Sequence, residues 1–203
     1  MIGDHEILVD DAILGHIEAF TEGPMKSKRR RVTGGDWLRM ARPNHPGDMT
    51  MAETLTLTLD TGDGEPKDVV IRLRPDLAPG HVGRITELAQ EGFYDGVIFH
   101  RVIAGFMAQG GDPTGTGMGG SDKPDLQAEF NAEPHVEGTC SMARAQNPNS
   151  ANSQFFICFE DARFLDKQYT VWGKVESGME HVHALPKGEP PRAPGKIVKA
   201  TVA

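Results

Sequence analysis

The chain has 203 residues, 38% of them apolar and 25% charged, and its 29 acidic and 21 basic side chains leave a net charge of −8. That balance is poorly suited to holding a phosphate backbone over the whole surface and well suited to solubility. The longest apolar run, residues 155–159, is far short of the roughly 20 residues that span a bilayer, so no transmembrane segment is expected.

The first fifty residues differ from the rest. Ile7, Leu8, Val9, Ala12, Ile13, Leu14 and Ile17 fit a short amphipathic helix stopped at Gly23-Pro24. A basic run follows (Lys26, Lys28, Arg29, Arg30, Arg31), then Gly34-Gly35 and the breaker-rich stretch Arg42-Pro43-Asn44-His45-Pro46-Gly47. Such a run can bind nucleic acid, but it is more often a solvated stretch. Acids at Asp4 and Glu6 with no apolar core behind them do not make a signal peptide, and the expected location is cytoplasmic. The reading is of an N-terminal extension over residues 1–53, disordered or an artefact of a start that belongs at Met49 or Met51, ahead of a domain at 54–203.

From Thr54 the pattern is mainly β. Leu55, Leu57 and Leu59 alternate with threonines, residues 61–66 read as a turn, and residues 69–73 read as the returning strand of a hairpin. Asp76-Leu77-Ala78-Pro79 predicts a helix start with Asp76 as N-cap. Val82, Ile85, Leu88 and Ala89 give that helix one apolar face, and Gly92 ends it. Short strands are predicted at 97–101, 106–109, 139–143, 154–159, 170–175 and 196–202, with a second helix at 178–185 stopped by Pro186. Many short strands joined by Gly/Pro turns, with two helices, argue for a closed barrel or a sandwich.

Several motifs lose their first meaning in context. Residues 115–120 satisfy GxGxxG, yet Asp112-Pro113 before and Ser121-Asp122-Lys123-Pro124 after exclude the strand and helix a dinucleotide site needs. His181-x-His183, with His100 and His135 scattered, lacks companions at metal spacing. Cys140 and Cys158 lack CxxC spacing and read as packed thiols. Ser141 and Ser153 have no GxSxG context, so a hydrolase triad has no support. Arg101 is different: it sits close in sequence to Phe106, Met107 and Gln109, and residues 153–157 with Phe164 and Leu165 add aromatic walls and a second amide. On spacing alone, a surface cation–π contact remains the alternative.

Phe99-His100-Arg101-Val102-Ile103 followed by Gly105-Phe106-Met107 and Gln109-Gly110-Gly111-Asp112 resembles the cyclophilin signature. The likeness continues through Gly119-Gly120, Glu129-Phe130, Ser141-Met142-Ala143, residues 152–157, Phe164-Leu165-Asp166 and Gly173-Lys174-Val175. It covers residues 54–202 and is closest to the bacterial branch. The resemblance implies a mainly β fold, a closed eight-stranded antiparallel β-barrel capped by two α-helices. It also implies peptidyl-prolyl cis–trans isomerase activity that assists protein folding, needing no metal or cofactor. Arg101 would be the catalytic donor. Phe106, Met107, Phe156, Leu165 and Tyr169 would wall the proline pocket, and Gln109 would bond the substrate carbonyl. Ala143, Arg144 and Ala145 would lie along the peptide, and His100 and Gln154 would orient Arg101 and line the groove. The expected partners are proline-containing peptides and folding proteins, with no membrane or nucleic acid, and the chain is expected to act as a monomer. Three positions depart from the family pattern: Arg144 where Asn is common, Tyr169 where His is frequent, and Phe164 in place of the Trp of cyclosporin-sensitive members. The last weakens the expected cyclosporin binding. A proline-recognition module without turnover is the rival reading; an adaptor using residues 26–31 is a third.

Overall fold

The structure is a computed structural model that describes residues 52–203. The expected helix and basic run before Met51 lie outside the described residues. The leucine alternation becomes β1 (Thr54–Asp60), which pairs antiparallel with β2 (Lys67–Leu73), setting Leu55 opposite Ile71 and Leu57 opposite Val69. All five side chains of the inner row, Leu55, Leu57, Leu59, Val69 and Ile71, are fully buried. Each such burial stabilises the fold by about 1.5–3 kcal/mol relative to exposure.

Helix α1 (Pro79–Gln90) buries Val82, Ile85, Leu88 and Ala89, the predicted face, against the sheet. Its N-terminus is capped differently from expectation. Asp76 is held by the Arg74 guanidinium in two hydrogen bonds of 2.8 Å, and Ala78 occupies the cap position with no side-chain bond. The orphan N–H groups of Gly80 and His81 instead donate to the Glu129 carboxylate, each at 3.0 Å, and the His81 ring binds the same carboxylate through Nδ1 at 2.6 Å. A negative charge at the helix N-terminus is also favoured by the helix dipole. A Cβ at position 80 would press on that carboxylate, which accounts for the glycine.

The remaining strands are β3 (Arg101–Ile103), β4 (Met107–Gly110), β5 (Thr139–Met142), β6 (Phe155–Cys158), β7 (Val171–Ser177) and β8 (Lys196–Val202), with α2 (Met179–His183) between the last two. They form one antiparallel sheet in the order β3-β4-β6-β5-β7-β2-β1-β8. The sheet is an open half-barrel, not the closed barrel expected, because β3 and β8 at its two ends share no ladder. The predicted strand at 97–101 is split. Ile98 makes a single bridge to Lys196, and only at Arg101 does the chain turn into β3 to pair with β4. The free side of β3 meets Gly188 through one bridge at Val102. Pro190 and Pro191 follow, and neither has an N–H with which to extend a ladder.

The main core lies between the sheet and the two helices. Phe155 is its centre, meeting Tyr94, Phe99 and Trp172 edge-on at centroid distances of 5.7, 6.4 and 5.8 Å. Strand alternation turns Phe156, the next residue, to the opposite face. There a second apolar cluster gathers Met107, Phe156, Cys158, Ala162 and Leu165. Among the described residues, no helix is long and apolar enough to cross a membrane.

Candidate active site

The second cluster is the floor of the site. In the β3–β4 register Arg101 faces Gln109, and in the β4–β6 register Gln109 faces Phe156. Arg101 and Gln109, close in sequence, are therefore joined by the distant Phe156 in one transverse row on one face of the sheet. Around that row, Phe106, Ala143, Tyr169 and Ile103 pack partly buried against Met107, Phe156 and Leu165. Tyr169 stands edge-on to Phe156 at 5.6 Å, and Phe164 tilts against Phe106 at 5.5 Å with 60% of its surface exposed. Leu165 is buried at the end of a 3-10 turn, Arg163–Leu165, that carries Phe164 outward. The arrangement is an apolar bowl with a cation and an amide on one rim.

The polar side is fixed by a chain of hydrogen bonds that begins in the glycine loop. Asp112 is fully buried and accepts from the N–H groups of Thr114, Thr116, Gly117 and Gly119 and from the Thr114 hydroxyl. Burial alone would raise its pKa, but these bonds outweigh it and hold the carboxyl at about 2. A Cβ on Gly119 would overlap the Asp112 carboxylate, so only glycine fits there. The loop so held offers the carbonyls of Gly117 and Gly119 to the Gln154 amide at 2.9 and 2.8 Å, and Gln154 Oε1 accepts from Gln109 Nε2 at 2.9 Å. Gln109 keeps a second amide hydrogen for a ligand. The sequence pattern excludes a dinucleotide site in this loop but does not announce its hold on Gln154. The available signal was an Asp followed at two to seven residues by Thr and Gly, the composition of an Asx-type nest.

Arg101 donates from Nε to Oε2 of Glu189 at 3.0 Å, with its side chain 24% exposed. Glu189 was not anticipated, and among the described residues neither expected orienting neighbour is hydrogen-bonded to the guanidinium. Gln154 serves Gln109, and His100 is buried against the glycine loop with neither ring nitrogen hydrogen-bonded. Burial lowers the His100 pKa, against the pull of Asp112 and with a smaller contribution from Arg101.

Ala143, Arg144 and Ala145 continue from β5 after it ends at Met142. The Ala143 N–H is used by the Gln154 carbonyl at 2.9 Å and that of Ala145 by the Ser150 hydroxyl at 3.0 Å. The Arg144 N–H makes no hydrogen bond among the described residues. Its guanidinium folds back over the Tyr169 ring, 4.7 Å from the centroid, and donates to the carbonyls of Gln168, Ala145 and Gln146.

Behind Phe156 lies a serine–histidine–aspartate chain. Ser141 Oγ is 3.1 Å from His135 Nε2, and His135 Nδ1 is 2.9 Å from Asp166. Both Ser141 and His135 are fully buried, and the serine hydroxyl donates to the Thr170 carbonyl at 2.9 Å. A serine with no access to substrate is not a nucleophile. The imidazole stacks on Phe156 at 6.1 Å and backs the pocket wall. Burial holds the thiol pKa of Cys158 at about 12 and raises that of Cys140 well above its usual value. His183 binds Glu137 at 2.8 Å, an ordinary exposed pair.

The family described as cyclophilin type peptidyl-prolyl cis-trans isomerase/CLD matches residues 56–202. A probable peptidyl-prolyl cis-trans isomerase of Brucella suis is 53% identical over 163 residues, covering 72% of this chain and 82% of that protein. Peptidyl-prolyl cis-trans isomerase B of Bacillus subtilis is 44% identical over 122 residues, covering 60% and 85%. Among solved structures, a Hirschia baltica cyclophilin superposes with a TM-score of 0.66 at 30% identity over 74% of this chain and 73% of that one. A Cryptosporidium parvum cyclophilin-type isomerase, solved in the presence of the dipeptide Ala-Pro, gives 0.67 at 29% identity over 74% and 98%. Sequence and fold thus agree over the described domain, and the chain belongs to the cyclophilin-type peptidyl-prolyl cis-trans isomerases.

Proposed function

We propose that the X–Pro bond is rotated over Phe156, with Arg101 as the donor to the prolyl nitrogen. The observation that carries this reading is the transverse row Arg101–Gln109–Phe156 above an apolar bowl of proline-ring character. The amide resists rotation by about 18–20 kcal/mol because resonance delocalises the nitrogen lone pair. As the bond twists, that lone pair localises on nitrogen and can accept a hydrogen bond. A guanidinium N–H there binds the twisted state more strongly than the planar one, which is what accelerates a step. The bowl formed by Phe106, Met107, Phe156, Leu165 and Tyr169 holds the ring, and the spare Gln109 hydrogen bonds the substrate carbonyl. The unused Arg144 N–H, between Ala143 and Ala145, pairs with the peptide in strand fashion.

Substrates on this reading are proline-containing peptides and folding chains, taken by a monomer in the cytoplasm through a domain at residues 54–203. Phe164 at the exposed rim weakens cyclosporin binding for want of an indole N–H. Arg101→Ala should lower kcat/KM by about 10²–10³-fold while peptide affinity falls much less. Arg101→Lys should rescue poorly, since a point charge on a flexible stem cannot present a fixed fork. Paired isomerisation kinetics and peptide titration, with circular dichroism as folding control, check both. Equal turnover in all three proteins would refute Arg101 as donor. Parallel loss of binding and turnover would favour a recognition module.

A further inference from the structure

We infer that Glu189 is a positioning residue for catalysis, orienting the Arg101 guanidinium through Nε so that its Nη groups are left for substrate; this rests on the reading of Arg101 as donor. The contact spans 88 residues of sequence, and the fold brings it about in a specific way. Gly188 is laced to Val102, the neighbour of Arg101 on β3, by two reciprocal backbone hydrogen bonds of 2.8 Å. Pro190 and a buried Pro191 follow directly, and a residue before proline is confined to extended backbone. Lys187, on the other side, is tied to the carbonyls of His183 and Leu185 at 2.6 and 2.9 Å. The strap 187–191 is therefore pinned to the strand that carries Arg101, and Glu189 projects from its short unpinned centre.

The chemistry fits orientation rather than stability. Glu189 is 48% exposed, and an exposed ion pair adds little to the folding free energy. An arginine held only by its aliphatic stem samples several rotamers, and each one off target removes the donor from the prolyl nitrogen. One acceptor at Nε fixes the plane of the guanidinium. Neither Nη1 nor Nη2 is hydrogen-bonded among the described residues, so this anchor leaves the fork free. The Gln154 oxygen already accepts from Gln109 and its amide N–H groups serve the glycine loop, so among the described residues Glu189 is the acceptor that the guanidinium engages.

The test compares Glu189→Ala and Glu189→Gln in wild-type and Arg101→Ala backgrounds, using exchange NMR of a proline peptide to separate kcat from KM. Glu189→Ala should lower kcat by about fivefold with KM within about twofold, the signature of lost alignment rather than lost binding. Glu189→Gln keeps an amide oxygen for Nε and should retain at least about half of kcat. On Arg101→Ala, removing Glu189 should cost nothing further. Three results overturn the inference: wild-type kcat in Glu189→Ala, an equal loss in Glu189→Gln, or an additive loss on Arg101→Ala. If Arg101→Ala is inactive while Glu189→Ala is unimpaired, only this inference fails. If Arg101→Ala itself retains full turnover, the donor reading fails and takes the inference with it. Amide exchange at Val102 and Gly188 shows whether the strap stays seated, and the Gln variant decides the point where the Ala variant loosens it.

Discussion

Phe164 is the rim residue at which ligand affinity and turnover should separate. It is 60% exposed and its ring leans on Phe106, while the bowl residues Met107, Phe156 and Leu165 are nearly inaccessible. A tryptophan there would keep the flat contact and add one indole N–H at the solvent edge. A hydrogen bond of that kind contributes about 1 kcal/mol net, or roughly fivefold in affinity. Phe164→Trp should therefore bind cyclosporin more tightly while small-peptide turnover stays nearly unchanged. Titration of both proteins with the drug decides it, and equal affinities would show that position 164 does not face the ligand. Arg144 illustrates the opposite situation. Its charge is spread over the Tyr169 face and three carbonyls, so its side chain builds the wall of the bowl rather than reaching over it.

Elements with strong periodicity were legible and those shaped by distant partners were not. The leucine alternation located β1 and its hairpin, the apolar recurrence located the buried face of α1, and β8 fell at residues 196–202 as read. The cap of α1 was misassigned to Asp76 because no local pattern announces that Arg74 will take that carboxylate or that Glu129 will arrive from 49 residues away. Barrel closure was likewise overestimated, since the strand pattern at 97–101 does not show that the chain changes partner at Arg101. In the site, the aromatic and amide residues of the row came from sequence resemblance, whereas Glu189 and the loop-holding role of Asp112 emerged only from packing. The glycine loop yields its own prediction. With the Asp112 pKa depressed from 3.8 to about 2, the ionised carboxylate contributes about 2 kcal/mol of stability. That contribution is complete above the unfolded pKa and is lost as pH falls toward 2. Asp112→Asn places N–H donors against N–H donors, so it should cost about 2 kcal/mol or more in denaturant melts. It should also lower turnover, because the Gly117 and Gly119 carbonyls that hold Gln154, and through it Gln109, lose their anchor. Unchanged turnover in a destabilised Asp112→Asn would show that the loop does not align Gln109.

At the scale of the whole molecule, the half-barrel separates a structural core from a functional cluster, and three buried histidines sit at the seams. His81 joins α1 to the Glu129 loop, His100 lies under the glycine loop, and His135 backs Phe156. Burial lowers all three pKa values, against the opposing pull of Glu129, Asp112 and Asp166 respectively. A base with a depressed folded pKa binds its proton more readily in the unfolded chain, so the unfolded state holds more protons once pH drops toward the ordinary value of 6.5. Stability is then full above 6.5 and declines as pH falls through the histidine range. Asp112, Asp166 and Glu129 have pKa values lowered from an already acidic reference, so they stay ionised in this window and the loss belongs to the histidines. Melting temperature should therefore fall between about pH 7 and about pH 5, well before carboxylates titrate. His100 has no hydrogen bond to lose, so His100→Gln removes one titrating group without removing a contact of that kind, and it should shallow the slope. Thermal melts of both proteins across that range measure it. A melting temperature that stays level down to about pH 5 would mean that protons reach these rings in the folded state as easily as in the unfolded one.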